Sequence, residues 1–482
     1  MKRFKYLVFV LIFCFTVSAF AQQTQQAPGT TPSVFIPDPD AVALNRAVSL
    51  NDREFIYYAF RFSGVTRENA ETFVRKYEAL AENLAAHLRT NNINPANHRQ
   101  TGEAILIFLH DNLLRRYVEK ETRLNELFNR GVFNCVSSAI IYYALAMRNN
   151  LDVRAIRTKD HAFCALIIDG EIVDVETTNR HGFDPGEKRE FIDAFGRMGF
   201  VYTPPSNHKD RFEISAKELL SLVLQNRIAE LQHRGNFMDT VSLAVDRNAV
   251  LGTDASFAEM INEFRNHSVQ LSNRGADGHR NAINFLSSAA LVYGFEPVLT
   301  NTAGKLFHNQ IARDLNQNRL TQAQNFFSYF EPNPIIPSEV RQETFILISQ
   351  KELQLFIQNN EFAESRRKTF EHFNQNLLNN TDKINYLVFV YSREVNRLSN
   401  SSDWVKAIEI VRQGIEEIGR DSRMLRLEEA VKHNIGVVYH NRFAAYFNRG
   451  DRAAAAAVLE EGLSIVPDNR MLLQNRERLR RE

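Results

Sequence analysis

The chain has 482 residues, 44% hydrophobic and 24% charged, which is globular material for two or more domains around a large core. With 58 Lys and Arg against 57 Asp and Glu, there is no basic field to hold a phosphate backbone, and this balance excludes nucleic-acid binding.

At the N-terminus, Lys2, Arg3 and Lys5 precede an apolar run from Tyr6 to Phe20, and Ala19-Phe20-Ala21 forms the small-x-small pattern of a signal peptidase site. Export to the periplasm or the extracellular space is expected, with residues 1–21 as the signal peptide. The run is shorter than the ~20 residues that span a bilayer, so an uncleaved anchor is the lesser alternative and no stable membrane insertion is expected after cleavage. Cleavage takes the 58 basic residues to 55 against 57 acidic ones, a formal charge of −2, and removes Cys14, so that Cys135 and Cys164 remain. Residues 22–40, "QQTQQAPGTTPSVFIPDPD", are polar and Pro-rich and read as a flexible linker.

From 41 to about Tyr117 the pattern is helical. "GVTRENAETFVRKYEALAENLAAHLR" carries apolar residues at i, i+3 and i+4 after a Thr66 cap, and "AILIFLHDNLLRRY" is a second such segment with His110 and Asp111 on its solvated edge. Next comes "GVFNCVSSAIIYYALAMRNN", where Asn134 is a good N-cap and Cys135 falls in the first turn of an apolar helix. First-turn N–H groups and the positive end of the helix dipole favour thiolate over thiol. Cys135 is thus a candidate nucleophile, with a buried structural cysteine as the alternative.

In "KDHAFCALIIDGEIVDVETTN" the Asp169-Gly170 pair predicts a two-residue type I′ hairpin between two strands. Alternation puts His161, Phe163, Ala165 and Ile167 on one face and Cys164 on the other. A Cys135–Cys164 disulfide is therefore the weaker reading and a buried, inert Cys164 the stronger. With Asp169 and Gly170 as the loop, Ile168 faces Glu171, Phe163 faces Glu176 and Ala165 faces Asp174. Glu176 is then the diagonal neighbour of His161, within reach of its ring; a bulge would substitute Asp174, which stays open as the alternative acid. Asp160 reads as a turn residue. His161, Cys164 and Asp160 do not make a metal site, because Cys164 points away from His161; no metal and no cofactor are expected. His181, Asp184 and Pro185 in "NRHGFDPGEKREF" read as a turn that could rim a cleft.

These residues carry a resemblance. "FNCVSSAIIYYALA", "LDVRAIRTKDHAF" and "DGEIVDVETTN" resemble the core of the transglutaminase-like superfamily, with its papain-like order of Cys, His and acid. In that family the acid commonly ends the second strand and Thr follows two positions later, as Thr178 follows Glu176; Glu stands here for the usual Asp, and Phe163 where Trp is frequent. The resemblance implies an α+β domain over 41–205 and acyl transfer through a thioester. Cys135 would attack an amide carbonyl, His161 would hold the thiolate and protonate the leaving amine, and Glu176 would orient the ring. Water as acceptor gives hydrolysis and an amine gives transamidation.

Beyond about Ser215 six polar turns recur, around Phe237, His279, Leu320, Phe362, Trp404 and Arg452, at spacings of 42, 41, 42, 42 and 48 residues. Each separates two apolar-periodic stretches, which predicts helical hairpins stacking into an all-α solenoid over 215–482. The last, "AAYFNRGDRAAAAAVLEEGLSIVPDN", resembles a tetratricopeptide repeat. The expected partners are a protein or peptide substrate in the first part and a protein on the repeats. The competing expectation is a catalytically inactive scaffold in which both parts bind protein.

Overall fold

The computed structural model describes residues 33–186, 192–193, 196–197, 207, 209–375 and 378–481. The expected signal peptide and most of the expected linker lie outside the described residues. The fold is mostly helical, with 19 α-helices among the described residues and a small antiparallel sheet. The chain divides into two compact units, 1–303 and 304–482, and the division falls inside the helix Pro297–Asn316.

In the first unit, strands run in the order Glu171–Val175, Ala162–Ile168, Val153–Arg157, Phe212–Ile214, each antiparallel to its neighbour. The predicted hairpin is present in the predicted register: Ile168 pairs with Glu171, Ala165 with Asp174 and Cys164 with Val175. Asp169 (φ 54°) and Gly170 (φ 85°) both adopt the left-handed backbone that a type I′ turn requires. The helix Cys135–Arg148 lies on one sheet face, in a shared core with Ala162, Cys164 and Leu166, while Ile156, Phe163 and Ala165 cluster on the other.

Most of that core is helical. It runs from Phe55, Phe60 and Tyr77 in the helices Asp52–Phe62 and Arg67–Thr90 to Leu219, Val223 and Val250 in Ala216–His233 and Phe237–Leu251. The boundary expected between 205 and 215 therefore falls within one continuous core.

The expected linker also needs correction at its C-terminal end. Residues 33–40 hold a short 3-10 helix, Ser33–Phe35, and the start of the helix Pro39–Arg46. The Asp38 side chain accepts from the Asp40 N–H and Pro39 opens the first turn, the chemistry of a helix start rather than of a spacer. Phe35 is buried against Phe264, Phe285 and Tyr293, and the Tyr293 hydroxyl donates to its carbonyl at 2.7 Å.

The six predicted turns each end where a helix begins, at Phe237, Gly278, Leu320, Phe362, Trp404 and Arg452. Each turn contains a left-handed residue: Gly235, Gly275, Asn318, Asn360, Ser402 and Gly450. At five of them, those before Phe237, Gly278, Phe362, Trp404 and Arg452, the flanking helices pack together as hairpins. In the second unit they bury a core including Tyr391, Val411, Met424, Ile435 and Leu459. Among the described residues, no helix is long and apolar enough to cross a membrane.

Candidate functional site

Cys135 opens its helix because the chain before it is tightly shaped. Gly131 (φ 66°) stops the helix Leu124–Arg130, and Val132–Phe133 then pairs in parallel with Arg116–Tyr117. Asn134 forms a capping box with Ser137: its side chain accepts from the Ser137 N–H at 3.0 Å, and its own N–H donates to Ser137 Oγ at 2.9 Å. Cys135 is left partly exposed in the first turn, whose N–H groups have no acceptor within the helix.

His161 ends the loop that joins Val153–Arg157 to Ala162–Ile168, and its carbonyl accepts from the Thr158 N–H at 2.9 Å. Its ring stacks on Phe163 with centroids 5.8 Å apart. Nε2 lies 2.7 Å from Glu176 Oε2, both side chains being fully buried, and the ring shares the cleft with Cys135 and interacts with it electrostatically. Burial alone would lower the pKa of His161; the Glu176 charge and the interactions with Cys135 and Glu176 outweigh it and raise the value to about 10.

Glu176 is fixed on every side. Oε1 accepts from the Thr178 N–H at 3.1 Å and from its hydroxyl at 2.6 Å, and the Glu176 N–H donates to Gly182 O at 2.8 Å. Gly182 has to be glycine here, since a Cβ would stand 2.1 Å from the Glu176 carbonyl oxygen. The structure therefore brings Cys135, His161 and Glu176 together. Asp174, the alternative acid, is bound bidentately by Arg211 at 2.6 and 2.8 Å, consistent with a hairpin that has no bulge.

Other expected residues separate. Cys164 is a buried free thiol that donates to Ala139 O at 3.4 Å, and burial pushes its pKa up; Cys135 is also free, so there is no disulfide between them. Asp160 is exposed at the cleft mouth. Asp111 pairs with Arg180 and Asp184 with Arg99, on the surface. His181, Asp184 and Pro185 form the expected turn but lie outside the cleft lining. His110 is not on a solvated edge: its ring is largely buried, Nε2 donates to Thr177 O at 3.1 Å, and burial lowers its pKa to about 4. Together with the Ser138–Thr177 hydroxyl pair at 2.9 Å, it braces the turn that carries Glu176. Among the described residues, no group of three His, Cys, Asp or Glu side chains is arranged to hold a metal ion.

Cys135 and His161 open onto a cleft of about 710 Å³. Tyr117 and the 157–160 loop line it beside Cys135 and His161, and the helix Ala216–His233 supplies Leu222, Gln225, Asn226, Ala229, Glu230 and His233. This helix was expected among the repeats. Its spacing of cleft residues, three and four apart, is a one-face signal, but nothing local says what that face meets.

No family model matches the sequence, and no curated protein matches it. One solved structure is similar: menin, described as "Crystal structure of menin reveals the binding site for Mixed Lineage Leukemia (MLL) protein", at 12% identity over 80% of this chain and 97% of that one, with a TM-score of 0.32. The lack of a matching family model and the helical make-up of the chain correct the expected resemblances to the transglutaminase-like superfamily and to tetratricopeptide repeats. Helices dominate the first unit, where the resemblance implied an α+β domain. The physical reason is local: a capped helix start and an Asp-Gly hairpin are short-range solutions available to many folds.

Proposed function

We propose that Cys135, His161 and Glu176 form a thiol acyl-transfer site acting on an amide bond of a protein or cell-wall peptide, in an exported protein whose helical hairpins recruit the substrate or a partner. One observation carries the reading: a fully buried His161 lies 2.7 Å from a fully buried carboxylate and lines one cleft with a partly exposed thiol.

In this reaction Cys135 Sγ bonds to the amide carbon while its proton resides on His161. The first-turn N–H of Cys135 faces the developing oxyanion. As the C–N bond breaks, His161 passes its proton to the leaving amine, and Glu176 keeps the imidazolium oriented throughout. A thioester remains. Water, giving its proton to His161, yields a carboxylic acid; an amine in its place yields a new amide. Both routes restore the thiol–imidazole pair.

The test is the rate at which iodoacetamide modifies Cys135 in the full chain, read by peptide mass mapping. His161→Ala should slow it at least about ten-fold, and Glu176→Gln should fall between the variant and the wild type. Equal rates in all three proteins would overturn the catalytic reading and leave an inactive scaffold that binds protein through both of its parts.

A further inference from the structure

The helix wall of the cleft presents two adjacent primary amides whose orientations are set from behind. Arg247, itself almost fully buried, donates from Nη2 to Gln225 Oε1 at 3.3 Å, and its Nη1 is paired with Glu259. A guanidinium can only donate, so the amide atom turned to Arg247 is the Gln225 oxygen, and both N–H bonds of the amide remain unused. Asn226 is turned the other way. Its Nδ2 donates to Thr122 Oγ1 at 3.4 Å, on a buried Thr122, and Oδ1 remains an unused acceptor. Both residues line the cleft that holds Cys135 and His161.

A donor beside an acceptor is the complement of one residue of an extended main chain, whose N–H donates and whose C=O accepts on the same side. We propose that Gln225 and Asn226 form a main-chain reader that holds the N–H and C=O of one residue of an extended polypeptide substrate along the helix Ala216–His233, independent of side-chain identity. Gln225 donates to the substrate carbonyl, Asn226 accepts from the substrate N–H, and Arg247 is a positioning residue that acts through Gln225. This inference rests on the acyl-transfer reading of Cys135 and names its substrate as a main chain rather than an isolated side-chain amide.

The experiment compares two reagents for Cys135 on the full chain: a peptidyl fluoromethyl ketone carrying two peptide units, and dithiodipyridine, a small disulfide with none. Gln225→Ala and Asn226→Ala should each slow the peptidyl reagent by about ten-fold, the size of one hydrogen bond, and leave the dithiodipyridine rate unchanged. Arg247→Met should slow the peptidyl reagent to a similar degree, and adding it to Gln225→Ala should cost little more, since the two act through one bond. A merely structural role would move both reagents together. A wild-type Cys135 inert to both reagents overturns the catalytic reading and this inference with it. A reactive Cys135 whose peptidyl labelling is unchanged in the variants, or falls equally with both reagents, overturns this inference alone.

Discussion

His161 shows how burial and charge compete at one residue. Burial disfavours its imidazolium, yet Glu176 at 2.7 Å and the interaction with Cys135 lift it from an ordinary 6.5 to about 10. The folded value therefore lies above the unfolded one. Its stabilising contribution is fully present below about pH 6.5 and is lost as the pH rises toward about 10. Glu176→Gln removes the charge that sustains it. Denaturant titrations of wild type and Glu176→Gln should show a stability gap that is widest near pH 6.5 and narrows steadily up to pH 10. A gap of constant width across that window would mean that the ring is not held as an imidazolium. The residues of this site could be picked out because each answers a short-range demand: Asn134 caps a helix, Asp169-Gly170 turns a hairpin, and the hairpin register carries Glu176 to His161. Arg211, which occupies Asp174, and His110, which braces Thr177, give no such signal, since each meets its partner only through tertiary packing.

Among the elements, the segment Ser33–Phe35 and the helix Pro39–Arg46 do more than the composition around them suggests. Phe35 is enclosed by Phe264, Phe285 and Tyr293, while the Asp38 N–H donates to Asp246 at 2.7 Å and Arg61 pairs with both Asp38 and Asp40. One phenylalanine in a Gln- and Pro-rich stretch is a weak signal; its burial depends on a pocket more than 200 residues away in sequence. Phe35→Ala should destabilise the first unit by about 3–5 kcal/mol, the usual loss for a buried phenylalanine. The buried thiol of Cys164 reports it, becoming open to alkylation at a lower denaturant concentration. An unchanged midpoint would show that this segment only rests on the core. The helix Ala216–His233 makes the complementary point. Its apolar residues read as one more hairpin arm, and that pairing with Phe237–Leu251 exists, but the same helix also closes the first core and walls the cleft.

At the scale of the whole molecule, the six turns named beyond Ser215 were readable from local chemistry, and the division into units was not. The six left-handed turn residues recur with no regard to which core their helices join, and the boundary between 303 and 304 interrupts a helix, where no composition shift announces it. What separates the units is which side chains bury together. In the second unit close helix crossings depend on glycine: a Cβ on Gly462 would meet Tyr439 Cγ and Leu472 Cδ1 at 2.9 Å, and Tyr439 is itself nearly buried and unable to move aside. Gly462→Val should therefore cost about 1–3 kcal/mol through overpacking. Two native probes tell which unit bears the cost. Trp404, the single tryptophan of the chain, packs on the core of the second unit, and Cys164 is buried in the first. In a denaturant titration of Gly462→Val, the Trp404 fluorescence transition should move to lower denaturant while the midpoint for Cys164 alkylation stays where it is in the wild type. If both transitions shift together, the two cores unfold as one cooperative body, and the hairpins of the second unit then contribute stability to the Cys135 site as well as a surface for recruitment.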